Sequence, residues 1–339
     1  MNQMAAKQDL DLTGLAPTSL ICYRPSRYAG DDISLLLSVF SEEDRLTVTT
    51  LYERLKELFE ILKAHRDQPE HCLAVLQGVI KQQDWPNFIK SLQTLGNSSY
   101  QQRPSKLLSQ VVHDLKGGAL TTLLLRIQLI NMGVRRTESV LPMFFLTRDH
   151  LKIMRNGLRD VDPEWRQRDQ GRQFHSLSLL REKWQNATHY VGARAVRINL
   201  DLAYEGNVAE SCLEFSAVDR VVYNLINNAA QYAANDEVDF HILTVPKGVP
   251  QHLRFVIRNR ISTEHKAALQ ARFGEKLNDL FIGGFTTGGN GFGMRICAEF
   301  VANAYGVHSL ERCLADGYIG AKLEGDSFVT WFHWPTVAD

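Results

Sequence analysis

Three stretches of the sequence hold residue types whose spacing suits chemistry. In SQVVHDLKGGALTTLLLRIQLI (residues 109–130), His113 is followed directly by Asp114. Leu108, Val112, Leu115, Ala119 and Leu123 make one apolar stripe at helical spacing, and His113 is expected off that stripe, on the solvated side. An imidazole held on a helix beside a carboxylate is arranged for chemistry on a ring nitrogen. In VVYNLINNAAQYA (residues 221–233), Asn224 and Asn228 are one turn apart on a single helix face. Stacked amides can offer carbonyl oxygens to Mg²⁺ and N–H donors to phosphate. In FTTGGNGFGMRI (residues 285–296), Gly288, Gly289, Gly291 and Gly293 precede a helix, so the backbone can approach phosphates at a helix N-terminus. No GK[ST] follows, which excludes a Walker loop, and no strand leads in, which argues against a dinucleotide-binding turn. Each stretch alone has an ordinary explanation: a surface histidine, a polar helix face, a flexible turn.

The elements that must position these residues fall into three regions. Residues 1–100 read as a helical input or docking region, irregular up to about Asp31. Val48, Leu51, Leu55, Leu58 and Leu62 alternate steps of three and four, which fits either a short coiled-coil seam or one amphipathic helix in a bundle. Pro69 and Pro86 suit the first turns of two further helices. His65, His71 and Cys72 are potential metal ligands, but ordinary surface and core roles are favoured. Residues 101–172 read as an antiparallel helical hairpin: a helix over 106–132, a turn at GVRRTES, and a second helix beginning near Leu141 and carrying Phe144, Phe145, Leu151, Met154 and Leu158. Two such hairpins would make a four-helix bundle, so a homodimer is expected. Residues 173–339 are of mixed character. AVRINLDLAYE, AESCLEF, VDFHILTV and LRFVIRN read as strands, residues 218–233 and RICAEFVANAYG as helices, and the chain ends in a hairpin turning at EGDS. The expected class is α+β.

Composition narrows the function classes. The 339 residues contain 38 Lys plus Arg against 38 Asp plus Glu, so the basic excess of a nucleic-acid binder is missing. The five cysteines are scattered without a CxxC pair, which argues against a disulfide framework or a thiolate zinc site and fits a cytoplasmic protein. The first residues lack the apolar run of a signal peptide, and the greasiest segments are too short for a membrane span.

The order of the three stretches is what is specific. Over residues 106–335 the chain resembles the transmitter core of sensor histidine kinases of two-component systems. HDLKGGAL is similar to that family's phosphoacceptor box, VVYNLINNAAQYA to its asparagine box, and FTTGGNGFGM to its second glycine box. The resemblance implies a two-layer ATP-binding α/β domain of the GHKL (Bergerat) type, joined to a dimeric four-helix bundle. It implies a histidine kinase using ATP and Mg²⁺. His113 would take the γ-phosphoryl group, and Asp114 would orient the ring or accept its proton. Asn228 would hold Mg²⁺ with Asn224 in support, and the Gly288, Gly289, Gly291 and Gly293 loop would cradle phosphates with Thr286 and Thr287 at its entrance. The implied partners are the receiver domain of a response regulator, a second copy of the chain, and an upstream sensor protein at the N-terminal region.

The chain departs from the family pattern in places. Asn259 stands where the family has an adenine-binding Asp, with Ile261 and Thr263 where glycines are usual. An Asn carbonyl can still accept from the adenine amino group, while the lost glycines imply a different path for the chain beyond. Gln231 replaces a frequent Lys. Gly117 stands where many kinases carry a side chain that assists dephosphorylation, so a helix bend and no phosphatase activity by that route are expected. The alternative is a non-catalytic histidine phosphotransfer or scaffold protein with a degenerate ATP domain. A hydrolytic GHKL ATPase is disfavoured because Asn224 occupies the place of the catalytic Glu.

Overall fold

The computed structural model describes residues 20–22, 28–103, 105–191, 194–245, 252–283 and 293–337. The chain is α+β, with a helical N-terminal region and a sheet-based C-terminal region.

Helix α1 (Glu42–His65) begins at Ser41, whose hydroxyl accepts from Asp44 N. Val48, Leu51, Leu55, Leu58 and Leu62 are all fully buried along one side of it. The seam belongs to a single amphipathic helix inside a bundle. Helices α2 (Pro69–Gln82) and α3 (Trp85–Thr94) follow, each with a proline in its first turn, and α4 (Asn97–Gln102) closes the region. Cys72 is buried in this bundle, and the His65 and His71 rings meet edge to face 4.8 Å apart.

The helix expected over 106–132 is two helices, α5 (Lys106–Lys116) and α6 (Gly118–Asn131). Gly117 between them has ψ 171°, which breaks the helical path. The second arm of the hairpin is α7 (Val140–Gly157). Helix α1 packs on α7, and α2 and α3 on α6. Leu108, Leu115, Leu123, Ile127, Met143 and Met154 are fully buried in the core that also contains the α1 residues. The apolar stripes on which the expected homodimer rests are covered by helices of the same chain, while Leu125 of α6 and Leu141 of α7 stay exposed.

Helix α8 (Pro163–Gln170), capped by Asp162, leads into the sheet region. Short strand β1 (His175–Ser176) pairs with β4 (Asn207–Ala209), with α9 (Ser178–Trp184) between them in sequence. The main sheet contains β2 (Thr188–Val191), β3 (Arg194–Leu202), β5 (Glu237–Val245), β6 (His252–Arg260), β7 (Ile319–Glu324) and β8 (Ser327–Pro335), in the order β2-β3-β5-β6-β8-β7. Only the β3–β5 pair is parallel. Helices α10 (Cys212–Tyr232) and α12 (Gly293–Tyr305) cover one face, with α11 (Thr263–Phe273) and α13 (Leu310–Ala315) at the margins. Alternation along the strands sets which face is apolar. Val238, Phe240, Ile242, Leu253, Phe255 and Ile257 belong to the core that includes α10 and α12, whereas Val256, Val329 and Trp331 make a small cluster of their own. The result is a two-layer α/β sandwich.

One sequence expectation fails here. SCLEF within AESCLEF is the first turn of α10, not a strand. Ser211 accepts from Glu214 N, and Glu214 reaches back to Glu210 N, so a capping arrangement starts the helix as soon as β4 ends.

Candidate functional site

A cavity of about 300 Å³ lies between the helical region and the sheet region. His113, Asp114, Asn224, Asn228, Asn259 and Gly293 all line it. Thr286, Thr287, Gly288, Gly289 and Gly291 lie outside the described residues.

Each lining residue is placed by its element. Helix α5 presents His113 and Asp114 to the cavity, and its Gln110 donates to Glu299 of α12. His113 is therefore not on a solvated face as expected: its side chain is only 23% exposed, because the sheet region covers that side of α5. His113 Nδ1 lies 3.4 Å from Asp114 Oδ1. Asp114 is also ion-paired with Arg220 of α10.

Helix α10 carries Arg220, Asn224 and Asn228 at intervals of four, one stripe along its cavity side. The Asn228 amide nitrogen donates to Met294 Sδ at 3.1 Å. The Asn224 amide nitrogen is buried beside the Cys297 thiol without a hydrogen bond of regular geometry. On β6, Asn259 is in register with Phe328 of β8 and follows Leu253, Phe255 and Ile257 in the inward row. Strand alternation thus turns it toward the helices. It is 3% exposed, and its Oδ1 has no hydrogen-bond partner. Just beyond, Ser262 caps α11 by accepting from His265 N. The His265 ring stacks on Tyr232 at 4.3 Å, both lining the cavity.

A second charged group borders the same space and was not read from the sequence. Lys183 of α9 donates to Asp219 of α10 at 2.7 Å and to Asp149 of α7 at 3.3 Å. Burial works against the lysine's charge, but Asp219 and Asp149 hold its pKa above the ordinary value. Burial raises the Asp219 pKa, against the pull of Lys183. Asp149 stays below the usual carboxylate range, because Lys183, Arg148 and Lys152 outweigh its burial. His150, also on α7, is 1% exposed, and burial pushes its pKa down to about 3 with Arg220 contributing. Of these residues only Arg220 had a readable signal, its spacing of four from Asn224. Among the described residues no group of three His, Cys, Asp or Glu side chains is placed to hold a metal.

The buried Asn259 carbonyl suits a base amino group, and the amide stripe of α10 suits phosphate and a hard cation. Residues 215–336 match the family described as histidine kinase-, DNA gyrase B- and HSP90-like ATPase. This segment is a GHKL ATPase domain. Such a domain implies ATP binding. No curated protein sequence matches the chain. Among solved structures, the Acinetobacter baumannii histidine kinase AdeS is 16% identical, covering 67% of this chain and 98% of that one with a TM-score of 0.28. A histidine kinase from Burkholderia phymatum STM815 is 12% identical, covering 68% and 96% with a TM-score of 0.31. Histidine kinase ThkA in complex with response regulator protein TrrA is 12% identical, covering 76% and 66% with a TM-score of 0.25. Each of these three is described as a histidine kinase.

Proposed function

We propose that this chain is a cytoplasmic histidine kinase that phosphorylates His113 from ATP and passes the phosphoryl group to an aspartate of a response regulator. The observation that carries this reading is the single cavity lined by His113 and Asp114 from α5 together with Asn224, Asn228 and Asn259 from the GHKL domain.

The local chemistry follows from the geometry. A carboxylate only accepts, so Asp114 beside Nδ1 favours the tautomer with the proton on Nδ1. The lone pair is then on Nε2, which is the attacking nitrogen. Asn259 Oδ1, buried and open, is the acceptor for the adenine amino group. Asn228 spends its amide nitrogen on Met294, which leaves its carbonyl oxygen for Mg²⁺. Bound there, Mg²⁺ would neutralise phosphate charge. Residues 286–293 would complete the phosphate site. Because His113 shares the cavity with its own chain's ATPase residues, the reaction runs within one chain. The N-terminal helices, packed on α6 and α7, are the route by which a sensor protein would act on the hairpin. No helix of the described residues is long and apolar enough to cross a membrane.

Incubation with γ-labelled ATP tests the proposal. The wild type acquires an acid-labile label, and His113→Gln abolishes it while ATP still binds. Label that persists in His113→Gln would move the acceptor elsewhere. A protein that binds no Mg-ATP would be the phosphotransfer or scaffold alternative, against which the unsatisfied polar lining of the cavity argues.

A further inference from the structure

Arg220 holds a position between the two halves of the site that the kinase reading leaves without a task. It is one turn before Asn224 and two before Asn228, at the end of their stripe nearest α5. Its side chain is 7% exposed. Nη2 is engaged with the Asp114 carboxylate, and Nε is buried without a hydrogen-bond partner. A guanidinium is a fork of five donors matched to a carboxylate or a phosphate. Buried with one of its donors open, it has capacity for a second anion, and the cavity it lines is where the phosphates of a nucleotide belong.

Two other cations line the cavity, Lys152 of α7 and Lys183 of α9. Lys183 is clamped between Asp149 and Asp219, with both carboxylates within 3.3 Å. Gln231, on the same cavity wall, is neutral. Arg220 is thus the cation of α10 able to change partners. Gly117 lies beside it: a Cβ at that position would be 3.6 Å from Arg220 Nη2, an ordinary van der Waals contact.

We propose that Arg220 exchanges anions in the course of the reaction, holding Asp114 before nucleotide arrives and the terminal phosphate of a nucleoside triphosphate afterwards. This rests on the reading of His113 as the acceptor and deepens it. The exchange does two things at once. It brings a positive fork to the oxygens on which charge spreads as the phosphoryl group moves. It also releases the Asp114 carboxylate to His113 Nδ1. The Nε2 lone pair then forms the N–P bond, and the bond from phosphorus to the bridging oxygen breaks with its electron pair staying on the nucleoside diphosphate. The Nδ1 proton passes to Asp114. A diphosphate has no terminal group to draw Arg220 away, so Asp114 stays held and the site distinguishes the two nucleotides.

The test is equilibrium binding of ATP and of ADP, each with Mg²⁺, to the full chain, together with the initial rate of labelling from γ-labelled ATP. Losing a charge-assisted contact predicts that Arg220→Gln weakens ATP about 10–100-fold and leaves ADP within about twofold. Labelling falls by at least the same factor. Arg220→Lys keeps part of the ATP preference, as a point charge replaces the fork. Asp114→Asn shifts the ratio the other way, because its neutral amide holds the arginine less firmly. ADP affinity monitors folding, and if Arg220→Gln does not fold, the opposite shifts of Arg220→Lys and Asp114→Asn still decide. An unchanged ATP-to-ADP ratio in the arginine variants overturns the exchange. Faster labelling in Arg220→Gln overturns it too, since Arg220 would then only restrain Asp114. A wild type that never labels His113, yet whose ATP preference follows Arg220, sinks the kinase reading and supports the phosphate contact.

Discussion

Two carboxylates, the buried Asp44 of the helical region and the largely covered Asp219 of the sheet region, are treated in opposite ways. Asp44, in the first turn of α1, is 3% exposed and saturated. It accepts from Gly96 N and Ser99 N, both at 2.8 Å, from Ser99 Oγ at 2.6 Å and from Ser41 Oγ at 3.1 Å. Burial alone would raise its pKa, but these bonds win and hold it below the ordinary value. Asp219, on α10, has Lys183 at 2.7 Å, while its Oδ1 has no partner and burial keeps its pKa raised. The first is framework: it ties the start of α1 to the entrance of α4. The second lines the cavity with capacity in reserve, as do Asn259 Oδ1 and Arg220 Nε. Unsatisfied buried polar atoms cost free energy, and Asn224 Nδ2, Asn259 Oδ1, Asp219 Oδ1 and Arg220 Nε share one space that a polar ligand would suit.

The sharpest test of that contrast is Asp44→Ala. It leaves two backbone N–H groups and two hydroxyls facing a void, so unfolding free energy should fall by about 2–4 kcal/mol. Denaturant titration reads this directly. Nucleotide affinity of the folded protein should stay within about twofold, since none of these groups borders the cavity. A large loss of ATP affinity without loss of stability would reverse the assignment of framework and site.

Histidines extend the comparison to pH. His333 is fully buried on β8, where Nε2 accepts from Arg254 Nε at 2.9 Å and Nδ1 faces the Tyr318 carbonyl at 3.2 Å. Only the neutral ring fits both contacts, and burial, with Arg254 beside it, pushes the pKa down to about 3. His150 is held down to a similar value. A folded pKa below the unfolded one means that the unfolded chain takes up the proton first. Stability is therefore intact near neutral pH and drains as pH falls below about 6.5 toward 3. Each such ring should remove about 2 kcal/mol between pH 6.5 and 5. His333→Gln retains an acceptor for Arg254 and should flatten the slope by one ring's share in thermal melts at stepped pH. Equal slopes would place the acid sensitivity elsewhere.

Much of the sheet region was readable, because alternation along strands and the helical spacing of Asn224 and Asn228 are local patterns. The His113–Asp114 pair was readable for the same reason. What failed was tertiary. The spacing of Val48 to Leu62 announces that a helix partner exists, but not that α7 of the same chain packs on it. The spacing of α5 puts His113 on the solvated side, because nothing in its own helix says that α10 and α12 cover it. Lys183, Asp149 and His150 lie in unremarkable stretches and come to line the cavity only when α7, α9 and α10 meet. The missed start of α10 is different, since Ser211 and Glu214 form a legible capping pair that the apolar residues around them obscured.

The smallest expected effect discriminates most finely. Asp219→Asn keeps the shape of the side chain and leaves Lys183 paired with Asp149. If Asp219 were framework like Asp44, the loss would approach that of Asp44→Ala. If it is a site residue kept charged at a cost, its desolvation penalty disappears along with the attraction, and the two nearly cancel. Unfolding free energy should then change by less than about 1 kcal/mol. The effect should appear instead in the cavity, because a lysine relieved of one of its two anions is drawn toward an incoming phosphate. Tighter ATP binding with unchanged melting is the expected pair of results. A drop in melting comparable to Asp44→Ala would erase the distinction between the two carboxylates and return the Asp149–Lys183–Asp219 group to the framework that holds α7, α9 and α10 together.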